Sequence, residues 1–266
     1  MGLRTDCRCY LINLDRSQQR LAAMQARLAE LGIDYTRISA VDGAQLTEAD
    51  FQEHTRENRY YKPIRRGEVG CYLSHLAVLR AFLGGDARYA LILEDDCLFR
   101  PDLLEALLAA LAHRDTTHDP LLGWDVLKLN RMRRRQVTLA PLGPAYRLVE
   151  YGLSVPITTA AAVWTRPAAE RFLRAYRGTT RPIDCDLQHP WEFGLSILAL
   201  QPPPVAQGDV ASTIGNRKHA AHSLLAKPGY ELKRLLPKLR HFGRRYGWGF
   251  IAGWLWRRHL DYRSNT

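Results

Sequence analysis

The stretch YALILEDD (89 to 96) sets an apolar run directly against three acids, Glu94, Asp95 and Asp96. Carboxylates packed side by side repel one another unless a cation sits among them, and hard oxygen donors select Mg²⁺ or Mn²⁺. An ion held there would bridge a nucleotide diphosphate. A solvated acidic cap on a helix opening at Pro101 explains the same residues without chemistry, because acids are favoured near helix N-termini. A second acidic stretch, PIDCDLQHPWEF (182 to 193), offers Asp184, Asp186 and Glu192 as general bases, or the capped start of a helix. In RRGEVGCYLSH (65 to 75), Gly67 and Gly70 permit close backbone approach, and Ser74 and His75 follow one turn after Gly70 and Cys71. Ser74 and His75 would form a polar edge toward a ligand while Leu73 and Leu76 face the core; a buried structural histidine is the plainer alternative.

The elements that must position these groups alternate. CYLINL (9 to 14) reads as a strand, followed by a helix with Ser17 as N-cap, Leu21, Met24, Leu28 and Leu31 at helical spacing, and Gly32 as terminator. Residues 34 to 43 give a second strand and a turn at Asp42-Gly43, and TEAD (47 to 50) resembles a capping box. Val69, Tyr72, Leu73, Leu76, Val78, Leu79, Phe82 and Leu83 predict a helix over 67–83, stopped by Gly84-Gly85. YALIL is then a central strand, with a helix from Pro101 to about Ala112. Further strands are expected at 125–130, 146–150, 158–164 and near 196–200, with a helix after Pro167. Strands separated by helices imply an α/β fold with a mostly parallel sheet, whose ligands bind beyond the carboxyl ends of the strands, where the acids fall.

The chain has 266 residues, 46% hydrophobic and 24% charged, enough for a proper core in one large or two small domains. Its formal net charge of +11 points to an anionic partner: nucleic acid, membrane surface or phosphorylated substrate. That charge is concentrated in residues 227–263, where ten Lys/Arg face two acids and are interleaved with Phe242, Tyr246, Trp248, Phe250, Trp254, Trp256 and Tyr262. Such a mix suits an interfacial segment against anionic headgroups, or tryptophans folded back on the domain. The five cysteines show no CxxC pair and read as free thiols in a reducing cytosol. No stretch has signal-peptide or membrane-spanning character, so the expectation is a protein neither secreted nor integral to the membrane.

CYLINLDRSQQR, ISAVDG, RRGEVGCYLSHLAVLRAF, LILEDD and PIDCDL occur in the order and approximate spacing seen in glycosyltransferase family 25, and the chain resembles that family over residues 8 to 220. The family includes bacterial lipopolysaccharide and animal collagen galactosyltransferases. The resemblance implies a GT-A-like nucleotide-sugar-binding fold over 1–220; the charge and aromatics at 221–266 are expected to form a separate basic, aromatic, helical segment. It implies metal-assisted, inverting transfer of a hexose from a UDP-sugar, galactose first and glucose next, to a lipopolysaccharide-type glycolipid or oligosaccharide. Under it, Asp96 is the direct ligand of Mn²⁺ or Mg²⁺, and Glu94 and Asp95 reach the ribose or the metal's water. Glu94 also serves as an alternative ligand, and His219 is a third. Asn13 and Arg16 lie where a uridine docks, Asp42 reaches the ribose, Ser74 and His75 touch the donor, and Asp184, then Asp186, is the base. The implied location is cytoplasmic, peripheral on the inner face of the membrane. Two rivals remain: a metal-dependent phosphohydrolase, and a nucleic-acid binder suggested by the charge and by RMRRR (131 to 135). The confinement of the charge to one end and the absence of a nucleic-acid motif argue for no nucleic-acid partner.

Overall fold

The computed structural model describes residues 2–130, 136–151, 158–208, 221–249 and 251–252, without the side chains of 221–225. The first strand, β1 (Cys7–Asn13), leads into α1 (Gln18–Glu30) and β2 (Tyr35–Ser39). After α2 (Glu48–His54), the long α3 (Arg66–Gly84) delivers the chain to β3 (Tyr89–Glu94). Next come β4 (Cys97–Phe99), α4 (Leu103–Thr116), β5 (Val126–Lys128), β6 (Val137–Leu142), β7 (Tyr146–Glu150) and β8 (Ala161–Thr165). The remainder is α5 (Arg166–Ala175), α6 (Ile183–Asp186), α7 (Pro190–Phe193), β9 (Ile197–Gln201), β10 (Val205–Gln207) and α8 (Ala221–Tyr246).

Eight strands form one sheet in the order β2-β1-β3-β8-β5-β9-β7-β6. The ladders β1–β2, β1–β3 and β5–β9 are parallel, whereas β8 runs against β3 and β5, and β7 against β9 and β6. Most strands thus share a direction, as a mostly parallel sheet requires, but the sheet is mixed because β7 and β8 are reversed. Reversal of β8 brings its first residues beside the last residues of β3, with Ala161 opposite Leu93. The carboxyl ends of β1, β2, β3 and β5 and the start of β8 therefore meet along one edge.

Side chains alternate across the pleat. Cys9 and Leu11 of β1 and Leu91 and Leu93 of β3 face a core with Met24 and Leu28 of α1 and Leu103, Leu107 and Leu111 of α4. Tyr10, Ile12, Ala90 and Ile92 face the opposite core, filled by Tyr72, Leu76, Leu79 and Phe82 of α3 and Phe172 of α5. Helices thus cover both faces. Cys7, Cys9, Cys97 and Cys185 are buried free thiols and Cys71 is half-buried.

Local signals hold to different degrees. Thr47 and Asp50 form the reciprocal capping box expected of TEAD. Ser17 occupies the N-cap position of α1 but makes no side-chain capping bond. Pro101 precedes its helix in a turn instead of opening it, because Cys97–Phe99 first pairs as a strand with β10. α8 packs on the body through Phe242, which is buried, and Arg245, whose Nη2 donates to the Leu121 and Gly123 carbonyls at 3.0 and 3.1 Å. Trp254, Trp256, Tyr262 and the RMRRR stretch lie outside the described residues.

Candidate active site

A cavity of about 350 Å³ opens at the sheet edge defined by the ends of β1, β2 and β3, and Asn13, Arg16, Asp42, Ser74, His75, Glu94, Asp95 and Asp96 all line it. Two glycines allow the wall to close. A Cβ on Gly70 of α3 would lie 2.6 Å from the Val41 carbonyl oxygen, and one on Gly43 would lie 2.3 Å from that of Arg66. The 40–44 loop therefore packs backbone to backbone on the start of α3. Ser74 locks the same contact: its hydroxyl donates to Gly70 O at 2.7 Å and accepts from Val41 N–H at 2.8 Å. Ser74 thus shapes the wall, with its hydroxyl committed to backbone.

The acids are held in three different ways. Asp95 accepts from Asn13 Nδ2 at 2.7 Å and pairs with Arg20 at 3.2 Å, while Asn13 Oδ1 accepts from Arg37. Glu94 accepts from Thr159 Oγ1 at 2.6 Å and lies 3.2 Å from His75 Nε2. Burial pushes the Glu94 carboxyl up, but His75, Thr159 and Lys128 outweigh it and hold the group below its ordinary range. Asp96 differs. Burial, reinforced by the charges of Glu94 and Asp95, pushes its carboxyl above the ordinary range despite a 2.8 Å hydrogen bond from Gln207. Its Oδ1 is buried with no partner among the described residues.

A buried carboxylate oxygen lacking a donor, raised by two neighbouring carboxylates, is the environment that a divalent cation relieves. The oxygen donors Asp96 and Glu94 fit Mg²⁺ or Mn²⁺. A second donor set adjoins them: ligand atoms of Cys71, His75 and Glu94 lie within 4.8 Å of one another, a mixture of sulfur, nitrogen and oxygen that suits a borderline ion such as Zn²⁺. Arg16, Arg20 and Arg66 line the same cavity, Arg20 beside the acids as the partner of Asp95. Arg16 is engaged by Asp42 and Arg66 by Glu48, so these two guanidinium groups are tethered as well. A cavity lined by guanidinium groups and a candidate cation seat accommodates a diphosphate.

The acids of PIDCDL separate. Asp186 is buried away from the cavity lining and accepts from Tyr72 Oη at 2.8 Å and Arg181 Nε at 2.6 Å. Arg181 also pairs with Glu192 at 2.5 Å. Burial outweighs these partners and pushes the Asp186 carboxyl up to about 6. Asp184, two residues earlier, is half-buried; its Oδ1 accepts from Cys185 N–H, and its charge acts on both Cys71 and Lys128. Asp184 is also absent from the cavity lining, although its charge acts on Cys71, which borders the cavity. His219 lies outside the described residues.

Sequence reasoning passed over Lys128, Thr159, Arg20 and Gln207. Lys128 is buried at the end of β5, donates to Thr158 O at 2.5 Å, and is lowered to about 8 by burial, against the opposing charges of Asp184 and Glu94. A lysine amid the apolar residues of DVLKLN was the available signal. Gln207 stood at the head of the polar QGDVASTIGNRKH stretch, but its tie to Asp96 depends on the β4–β10 pairing.

The family model described as glycosyltransferase family 25 (LPS biosynthesis protein) matches residues 7–185. A glycosyltransferase 25 family member of Anopheles gambiae is 28% identical over 172 residues, covering 62% of this chain and 28% of the relative. Procollagen galactosyltransferase 1-A of Xenopus laevis is 30% identical over 131 residues, covering 47% and 21%. The chain thus spans only about a quarter of the length of these relatives. Among solved structures, the inositol-1-phosphate CTP transferase from T. maritima aligns with a TM-score of 0.38 at 13% identity, covering 85% of this chain and 99% of that one.

Proposed function

Because the chain belongs to glycosyltransferase family 25, we propose that it transfers a hexose from a UDP-sugar, galactose first and glucose next, with inversion, to a lipopolysaccharide-type oligosaccharide. The observation that carries this reading is the convergence on one cavity of Glu94, Asp95 and the underpartnered Asp96 with Arg16, Arg20 and Arg66. The same reading makes residues 1–220 a GT-A-like catalytic unit and places the protein peripherally on the inner face of the cytoplasmic membrane. Among the described residues, no helix is long and apolar enough to cross a membrane.

Mn²⁺ or Mg²⁺, held by Asp96 with Glu94, would supply positive charge to the diphosphate as it leaves. The chain's own residues do the remaining work. Asn13 and Asp42 sit at the strand ends where a nucleoside is gripped, and Arg16, Arg20 and Arg66 complement the phosphates. Asp184 takes the proton of the acceptor hydroxyl as its oxygen forms the new bond to the anomeric carbon and the bond from that carbon to the diphosphate breaks. Burial costs Lys128 part of its basicity, and the charges of Asp184 and Glu94 oppose that loss.

UDP release from a panel of UDP-sugars, with and without an oligosaccharide acceptor, tests this reading. One sugar should stand out, and turnover should depend on acceptor. Asp184→Asn should lower kcat by about 10²- to 10⁴-fold with KM for the donor little changed. Equal turnover without acceptor would make the protein a hydrolase, and full activity of Asp184→Asn would move the base elsewhere.

A further inference from the structure

The large apolar side chains that remain exposed among the described residues are Leu98, Leu232, Leu235, Leu236 and Trp248. All but Leu98 lie on α8 or two residues beyond it, so among the described residues the exposed large apolar side chains concentrate there. Leu232 and Leu236 are one turn apart, and Gly243 continues their row at i+11. The Trp248 ring lies on Gly243, where a Cβ would come within 3.0 to 3.2 Å of ring atoms. The strip therefore runs from Leu232 to an indole about 16 Å along the helix, by the rise per residue.

Charge flanks it in a regular way. Lys233, Arg240 and Arg244 are all exposed and recur at i, i+7 and i+11, a second row roughly a quarter turn around the helix from the leucines. Between 227 and 249 there are seven Lys/Arg and one acid, Glu231. The rest of the helix is committed to the body. Arg234 donates to Gln188 O at 3.4 Å, Tyr230 lies 3.5 Å from His189 Nε2, and Phe242 is in the core. These anchors reach the chain just after Asp184 and Asp186, so the leucine strip faces outward from a helix whose other side abuts the candidate base segment.

We propose that this face of α8 docks the protein on an anionic membrane, with Leu232, Leu235, Leu236 and Trp248 entering the interface and Lys233, Arg240 and Arg244 meeting lipid phosphates. An apolar strip bordered by a cationic row complements a surface that is apolar below and negative at its headgroups. The proposal rests on the transferase reading in one respect: it supplies the reason for docking, an acceptor held in the membrane.

The full chain is floated with vesicles of phosphatidylglycerol and phosphatidylethanolamine, and with phosphatidylcholine alone. Binding should require the anionic lipid and weaken with salt. The combined Leu232→Gln, Leu235→Gln, Leu236→Gln variant, whose targets are exposed and whose fold is checked by circular dichroism, should bind at least about tenfold more weakly. Lys233→Glu, Arg240→Glu and Arg244→Glu together should cost at least about a hundredfold. Unchanged vesicle binding by either variant overturns the proposal. So does a concentration-dependent dimer that the leucine variant abolishes while vesicle affinity stays the same, because the occupant would then be a second copy. UDP release on a soluble acceptor separates the two claims. If it persists while vesicles are ignored, docking fails alone; if vesicles are bound but no sugar turns over, the transferase reading fails alone.

Discussion

Two acidic groups on this chain have opposite surroundings. Asp186 is buried with hydrogen bonds to both oxygens, from Arg181 and Tyr72, and Arg181 is shared with Glu192. Asp96 is also buried in part and also pushed upward, yet its Oδ1 has no partner among the described residues and the charges of two further carboxylates act on it. The first arrangement is closed: every strong group is matched by the chain itself, and the result ties α3 to the α6–α7 segment. The second is open on a cavity that guanidinium groups also line. Burial alone does not mark a functional acid. What distinguishes Asp96 is an acceptor left over where a ligand can reach it.

Breaking the closed cluster should have the largest effect on folding. Arg181→Met leaves Asp186 and Glu192 without their cation, and unfolding in denaturant should show a loss of about 3–5 kcal/mol. A loss below about 1 kcal/mol would mean that the cluster holds little together.

The closed cluster also has a pH signature. A carboxyl raised to about 6 in the folded protein, against an ordinary value of 3.8, binds its proton more tightly when folded. Its stabilising contribution is therefore full below about 4 and is lost as pH rises through about 6, by up to about 3 kcal/mol. The difference in stability between the native chain and Asp186→Asn should change across that window in that direction; a flat difference would show that Arg181 holds the group ionised throughout.

The open cluster should respond to a cation where the closed one does not. Mn²⁺ at a hundred times its dissociation constant should stabilise the native chain by about 2.7 kcal/mol, read as a rise in Tm. Asp186→Asn should keep that rise and Asp96→Asn should lose it. The reverse pattern would assign the ion to the wrong acids.

Much of the open site was legible because it hangs on strands with clean signals. The apolar run of β3 ends on the acids, the GEVGCYLSH helix has unmistakable periodicity, and Asn13 and Asp42 follow from the βαβ start of the chain. The contacts that complete it were not legible, for a topological reason. Thr159 bonds Glu94 and the Lys128 charge acts on it because β8 lies beside β3 and β5 beyond β8, out of sequence order, and an antiparallel β8 cannot be deduced from spacing. Gln207 depends on two strands of three residues each, too short to show a period. Asp184 and Asp186 look equivalent in PIDCDL; packing against Arg181, five residues from Asp186, separates them. α8 shows a further limit: its charge and aromatics were plain, but which leucines stay outside is decided by where Tyr230, Arg234 and Phe242 attach.

The most direct test of the site is calorimetric binding of UDP, with Mn²⁺ and with chelator, to the native chain and to folded Asp96→Asn. The account predicts that Mn²⁺ tightens UDP binding at least about tenfold in the native chain and has no effect on the variant. Equal tightening in both would contradict it, and would seat the ion away from Asp96.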